Sequence, residues 1–230
     1  AAPHPAPPRP TPPARPAPPP RPHPPPHDSW WEPGALRHAA DLLDAHPRLG
    51  LVTARTLVGP ESAEDPLNAV LADSPLPAEP DLPGRPVLGF LACACVVRRE
   101  AFLGAGGFHP LLFFGGEETL LAYDLAAGGW GVSYEPAMTA RHHPEPTGRR
   151  GRSPVLRRNA VLTLWLRRPL PVALAASTRL AAAAVRNRPG ARPALRELLA
   201  RLPAALARRH RLPQRVEHAA RLLDGTPPGR

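Results

Sequence analysis

From Trp30 onward the apolar positions follow two rhythms. In ALRHAADLLDAHP, Leu36, Ala39, Ala40 and Leu43 recur at helical spacing, Pro33 suits a first helical turn, and Pro47 stops the helix. LGLVTARTLV, residues 49–58, reads as a buried strand. Residues 59–86, rich in Pro and acids, predict a long loop with one short helix near 65–73. VLGFLACACVV, 87–97, predicts a second strand, and RREAFLGAGG a short helix that stops at glycine. After HPLLFFGG come a helix over 117–127 and strands near 130–135 and 137–142. From residue 153 the pattern is helical, with breaks expected at Pro169, Pro193, Pro203 and Pro213. The middle of the chain is therefore α/β and its tail all helix.

Composition changes the picture at both ends. Of 37 prolines, 15 fall in residues 1–26, too dense for a compact core, so this segment is expected to be extended polyproline II or disordered. It suits a spacer, a ligand for proline-binding modules, or an out-of-frame stretch of GC-rich coding sequence. All 29 basic residues are Arg. Residues 27–140 carry 6 Arg against 15 acids, and residues 141–230 carry 20 Arg against 4 acids, so the two halves have different work to do. Cys93 and Cys95 alternate on the expected strand and do not easily bridge, which fits a reducing compartment. There is no apolar run of transmembrane length, and the N-terminus lacks the apolar region of a signal peptide. The expected location is cytoplasmic, or peripheral at the inner face of the membrane.

The candidate chemistry lies in FFGGEETLLAYDLAAGGWGVSYEP, residues 113–136. Glu117 and Glu118 occupy the first turn of their helix, where free N–H groups and the helix dipole favour ionised carboxylates. An ionised carboxylate on a rigid helix beside Gly115-Gly116, which lets a substrate approach, suits a general base. The plain alternative is a solvated helix start.

The surroundings carry more. Gly89, Arg98-Arg99, Ala101-Phe102, Gly106-Gly107-Phe108, Phe113-Phe114, Glu117-Glu118, Gly129-Trp130, Pro136 and His142-His143 stand in an order and spacing that resembles the acceptor half of a family 2 glycosyltransferase with the GT-A fold. The resemblance runs from about Asp28 to Arg168. It implies a partial GT-A core, like that of nucleotide-diphospho-sugar transferases, followed by the helical basic tail. It implies inverting transfer of a sugar from a nucleotide-sugar donor to a hydroxyl acceptor, saccharide or lipid-linked, in cell-envelope or polysaccharide synthesis. In that family Glu118 takes the place of the carboxylate that deprotonates the acceptor and Glu117 that of its orienting neighbour, with Gly115, Gly116 and Trp130 beside the acceptor. The pair is Glu-Glu where Glu-Asp is commoner, and Leu120 stands where a further acid often follows. The resemblance also implies a divalent metal, Mn²⁺ or Mg²⁺, on the donor diphosphate. Its ligands would be Asp28 and one of His142 and His143, with strand alternation favouring His142.

Pro26-His27-Asp28-Ser29-Trp30-Trp31 matches only the last Asp of the family's Asp-rich metal motif, and the polyproline run stands where nucleotide-binding strands belong. The expectation is a chain lacking its nucleotide-binding half, of low or no activity alone. The organisation read from sequence is a Pro-rich segment 1–26, a partial catalytic domain 27–148 and an Arg-rich helical tail 149–230. In RRGRSPVLRRNAVLTLWLRR, 149–168, Leu156, Val161, Leu164 and Trp165 approximate an apolar stripe between Arg pairs, suited to anionic lipid or to a solvated bundle. Nucleic acid has no recognisable reading motif behind it. A second reading of the chain is a non-catalytic basic helical protein that binds anionic lipid or nucleic acid.

Overall fold

The computed structural model describes residues 28–112, 115–144 and 152–225; the Pro-rich segment 1–26, Phe113-Phe114 and Arg149-Arg150 lie outside the described residues. Two long strands form the centre. β2 (Leu49–Val58) and β6 (Gly131–His142) run parallel, with Leu51 opposite Val132 and Val58 opposite His142. Short antiparallel strands flank them: β1 (Ser29–Trp31) and β4 (Arg85–Pro86) pair with β6, while β3 (Ala63–Glu64) and β5 (Cys95–Val97) pair with β2. The sheet is six-stranded and mixed. Between Ala54–Glu135 and Arg55–Thr139 the β2–β6 register skips Pro136, Ala137 and Met138. Pro136 has no N–H for the ladder, so the chain bulges there. This is why the sequence reads as two strands where the structure has one long element.

One face of the sheet packs on α2 (Pro66–Ala72), α3 (Arg99–Gly104) and α4 (Glu117–Ala127), through Leu51, Leu71, Ala101, Leu121, Leu125 and Val132. The other face packs on α1 (Ala35–Ala45), through Ala39, Val52, Met138 and Ala140. Leu51 and Val52 thus serve opposite cores, as strand alternation requires. The Asp65 side chain caps α2 by accepting the Leu67 N–H at 2.8 Å. On α1 the buried positions are Ala35 and Ala39, with Leu42 and Leu43 half-buried, whereas the expected stripe members Leu36 and Ala40 are exposed. Small side chains let the helix approach the sheet closely.

The expected strand over 87–97 is corrected. Only Cys95–Val97 pairs, with Leu51–Thr53, and Ala92–Ala94 is a 3₁₀ turn. The turn carries the chain across the sheet edge, so that Phe90 enters one core and Ala94 the other. Cys93 and Cys95 are therefore not alternate residues of one strand, though both are free thiols.

The C-terminal region is helical: α5 (Arg152–Arg167), α6 (Leu170–Val185), α7 (Ala191–Ala207) and α8 (Gln214–Gly225). Leu162, Leu166, Ala173, Leu180, Ala194 and Leu198 form its core, joined by Leu112 and Leu120 from the α/β body. Val216 and Ala220 of α8 pack on Tyr123 of α4. Pro169 and Pro213 stand just before helices, and Pro193 sits in the first turn of α7, where its missing N–H costs nothing. The break expected at Pro203 does not occur; Pro203 lies inside α7. Pro203 and Leu199 one turn earlier are both exposed, so water can solvate the carbonyl freed there. Pro203→Ala is expected to raise stability by about 1–3 kcal/mol, short of the full propensity difference because proline also restrains the unfolded chain. Thermal unfolding of the two proteins checks it.

The stripe expected on α5 is also corrected in part. Val161 and Trp165 are buried in the bundle core with Leu164 packed against it, but Leu156 is exposed, and Arg158, Arg167 and Arg168 are only 4%, 3% and 1% exposed. Arg158 pairs with Glu197 of α7, Arg167 with Asp124 of α4 at 2.8 Å, and Arg168 with Glu217 and Asp224 of α8 at 2.7 Å each. These three cations are turned inward and tie helices together.

Candidate functional site

α4 is connected to β6 by the tight Gly128-Gly129-Trp130 turn and packs back along the sheet. Its N-terminus therefore lies towards the carboxyl end of the parallel strands, the side on which α/β sheets hold ligands. Gly115 and Gly116 lead into it with φ of 95° and 87°, in the left-handed region that favours glycine. The loop is anchored from outside: buried Asn159 of α5 donates through Nδ2 to the Gly115 carbonyl at 2.6 Å and to that of Leu112 at 3.3 Å.

Glu118 curls back over the helix start and accepts the Gly116 N–H at 3.1 Å. Burial pushes its carboxyl above the ordinary carboxylate range, the charge of Glu117 adds to the rise, and the N–H groups of Glu118, Gly116 and Ala92 partly oppose it. The helix start favours the charged forms of the pair; at Glu118 burial outweighs the opposing N–H groups and raises the pKa. A buried carboxyl so raised is a better proton acceptor when ionised. Glu117 differs: its Oε2 is buried with no hydrogen-bond partner among the described residues.

The 3₁₀ turn packs on β1, β2 and β6. Burial first, then the charges of Asp28, Asp65 and Glu118, push the Cys93 thiol up to about 11, so Asp28 and Glu118 both bear on this turn. At the end of β6, His142 Nε2 lies 3.3 Å from Asp28 Oδ2, and the His143 N–H donates to the Asp28 carbonyl at 2.6 Å. The His143 ring stands edge-on to Trp30, centroids 4.6 Å apart. His142, not His143, thus shares a side with Asp28.

Metal fit can be judged on this donor set. Asp28 and His142 supply one carboxylate and one imidazole, already in contact with each other, and no group of three metal-binding side chains exists among the described residues. A hard divalent cation takes about six ligands, mostly oxygen. Asp28 and His142 are the residues that would hold such a cation, with the donor diphosphate and water completing its shell.

Other residues of the motif serve the fold. Trp130 is not brought to the carboxylates: it lies beyond the far end of α4, whose 11 residues span about 16 Å. Its ring fills the space over Gly50, where a Cβ would meet Trp130 Cβ at 2.6 Å, and sits 5.9 Å below the Arg98 guanidinium. Arg98 caps the end of α1 by donating to the Leu43 and His46 carbonyls, and also donates to that of Leu49. Gly107 makes room for Phe102, which stacks edge-on with Phe108 at 5.6 Å. A cavity of about 290 Å³ lined by Leu76, Val87, Trp130, Arg215, Val216 and His218 lies at that far end of α4, away from Glu117 and Glu118.

Glycine at position 115 is also explained by packing. A Cβ there would meet Leu156 Cδ2 at 2.6 Å, so the side of this glycine that faces α5 is filled. Gly115→Ala is expected to destabilise the protein by about 1–3 kcal/mol through strain at positive φ and overpacking; urea unfolding reads it, and Leu156→Ala in the same chain should recover the packing part. Asn159 is the positioning residue that the sequence reading missed. Its signal was available: an amide poor at helix formation, set among Val and Leu in the middle of a helix. No protein-family model matches the chain, and no curated protein sequence matches it.

Proposed function

We propose that this chain is the acceptor-side, catalytic-base part of a GT-A type glycosyltransferase, which moves a sugar with inversion from a nucleotide-sugar donor to a hydroxyl of a saccharide or lipid-linked acceptor. The observation that carries the reading is the Glu117–Glu118 pair itself. One carboxylate is raised by burial and fixed by the Gly116 N–H, and its neighbour keeps a buried oxygen unpaired. In this reading Glu118 removes the acceptor proton as the acceptor oxygen bonds to the anomeric carbon. The bond from that carbon to the nucleotide diphosphate breaks, and the diphosphate leaves with the electron pair. Glu117 Oε2 accepts a neighbouring hydroxyl of the acceptor, which holds the nucleophile in line.

The test is transfer of labelled sugar from a panel of nucleotide sugars to saccharide acceptors. The chain is assayed as it stands and fused, ahead of Asp28, to a nucleotide-binding half from a GT-A enzyme, so that one arm has a donor site. Product of inverted configuration that disappears in Glu118→Gln is the expected result. Donor binding by the fusion without transfer to any acceptor counts against the reading. A second reading, a non-catalytic basic protein, is favoured by Arg179, Arg186 and Arg188, which are exposed and form no ion pair among the described residues; it requires anion binding with no turnover in either arm.

A further inference from the structure

We propose that the outer face of α6 is a docking surface for a lipid bilayer with anionic headgroups. The inward face of this helix is used up: Ala173, Ala176, Leu180 and Ala184 are buried against α5 and α7. A flank centred about 115° round the helix from it is largely apolar. Leu170, Leu174, Thr178, Ala181 and Val185 fall within one sector of roughly 80° at 100° per residue. Leu170 is 49% exposed, Leu174 51% and Val185 80%. A stripe of large apolar side chains turned to water has no packing partner among the described residues.

Charge decides what covers it. No acid occurs between Glu145 and Glu197, and Glu197, the acid of α7, is paired with Arg158 of α5. Arg179 stands on the exposed half of α6, about 100° round the helix from the nearest stripe member, and Arg186 and Arg188 follow directly at the end of the stripe, all exposed. An apolar stripe ending in cations and free of acids matches a headgroup layer over acyl chains, with leucines entering below the phosphates and arginines lying among them. Nucleic acid would reward the arginines but not the leucines. α6 has 16 residues and no described helix is long and apolar enough to cross a membrane, so the helix lies on the bilayer. The surface differs from the one expected on α5, whose Arg158, Arg167 and Arg168 are buried in ion pairs.

Co-sedimentation of the full chain with phosphatidylcholine vesicles, with and without a quarter phosphatidylglycerol, tests this at low and high salt. Binding should favour the anionic vesicles and weaken with salt. Leu170→Glu with Leu174→Glu should weaken it by about 10–100-fold, the scale of burying leucines. Arg186→Gln with Arg188→Gln should weaken it by about 10–30-fold. Val185→Trp should strengthen it, because tryptophan favours the interface. All five positions are exposed, so melting temperatures should stay close to that of the parent. Anionic-vesicle binding unchanged by the double glutamate variant overturns the proposal, as does equal binding to neutral vesicles. Salt-sensitive binding to RNA that ignores the leucines, without vesicle binding, points to nucleic acid instead. A dimer that Leu174→Glu dissociates, again without vesicle binding, makes the face a contact with a second copy.

Discussion

Arg168→Ala is expected to cost about 3 kcal/mol of stability, the low end of what removing one partner of a buried pair costs. Arg168 is 1% exposed at the end of α5, and its guanidinium donates to Glu217 at 2.7 Å and to Asp224 at 2.7 Å. Burial works against its charge, but the carboxylates of Asp224 and Glu217 outweigh that and hold its pKa above the usual range. Deleting it leaves Glu217, a residue 9% exposed, with Arg221 at 2.8 Å as its remaining cation among the described residues, which is why the low end applies. In a chain of this length a loss of this size lowers Tm by roughly 6–12 °C. Arg168→Met with Glu217→Leu should recover most of it, since a buried pair replaced by well-packed apolar groups is often neutral. A loss below about 1 kcal/mol in Arg168→Ala would show that this pair does not fasten α8 to the body.

Glu118→Gln is expected to lower sugar transfer by about 10²–10⁴-fold in the donor-supplied arm, the usual contribution of a general base. The amide keeps the shape and still accepts the Gly116 N–H, but it cannot take a proton, so donor binding should hardly change. Stability should move the other way. Because burial raises the folded-state pKa of Glu118, the folded protein holds that proton more tightly than the unfolded chain does. Its contribution is full below the unfolded-state pKa and is lost as pH rises through the folded-state pKa. Glu118→Gln should therefore flatten the pH dependence of stability above the acid range. At neutral pH it should be more stable than the parent by about 1 kcal/mol, the size common when strain at a functional site is relieved. Undiminished transfer would remove Glu118 as the base. An unchanged stability–pH slope would remove the buried, raised carboxyl even if transfer fell.

Local signals were enough for several elements. Asp65 ahead of Pro66 marks the start of α2, the Gly115-Gly116 pair marks that of α4, and the apolar run 49–58 is β2 as observed. Each depends on residues a few positions apart, so capping, turn conformation and periodicity carry it. The Glu117–Glu118 pair was legible for the same reason. Its environment was not: the Ala92 N–H that bears on Glu118 comes from the 3₁₀ turn 26 residues earlier, and the Gly115 loop is held by Asn159, which reaches it from α5. The apolar run 87–97 has the composition of one strand, but Phe90 and Ala94 serve cores on opposite faces, and only Cys95–Val97 has a partner on β2.

The arginines show the division most clearly. Sequence by itself determined that the tail is helical and basic, because periodicity and charge are summed along the chain. Tertiary structure alone decided that Arg158, Arg167 and Arg168 face inward and that α6 turns Leu170, Leu174 and Val185 outward. The carboxylates that make those burials tolerable, Glu197, Asp124 and Glu217, lie 39, 43 and 49 residues away. A charge is stable in a core only where such a partner arrives, and that arrival is a property of the fold.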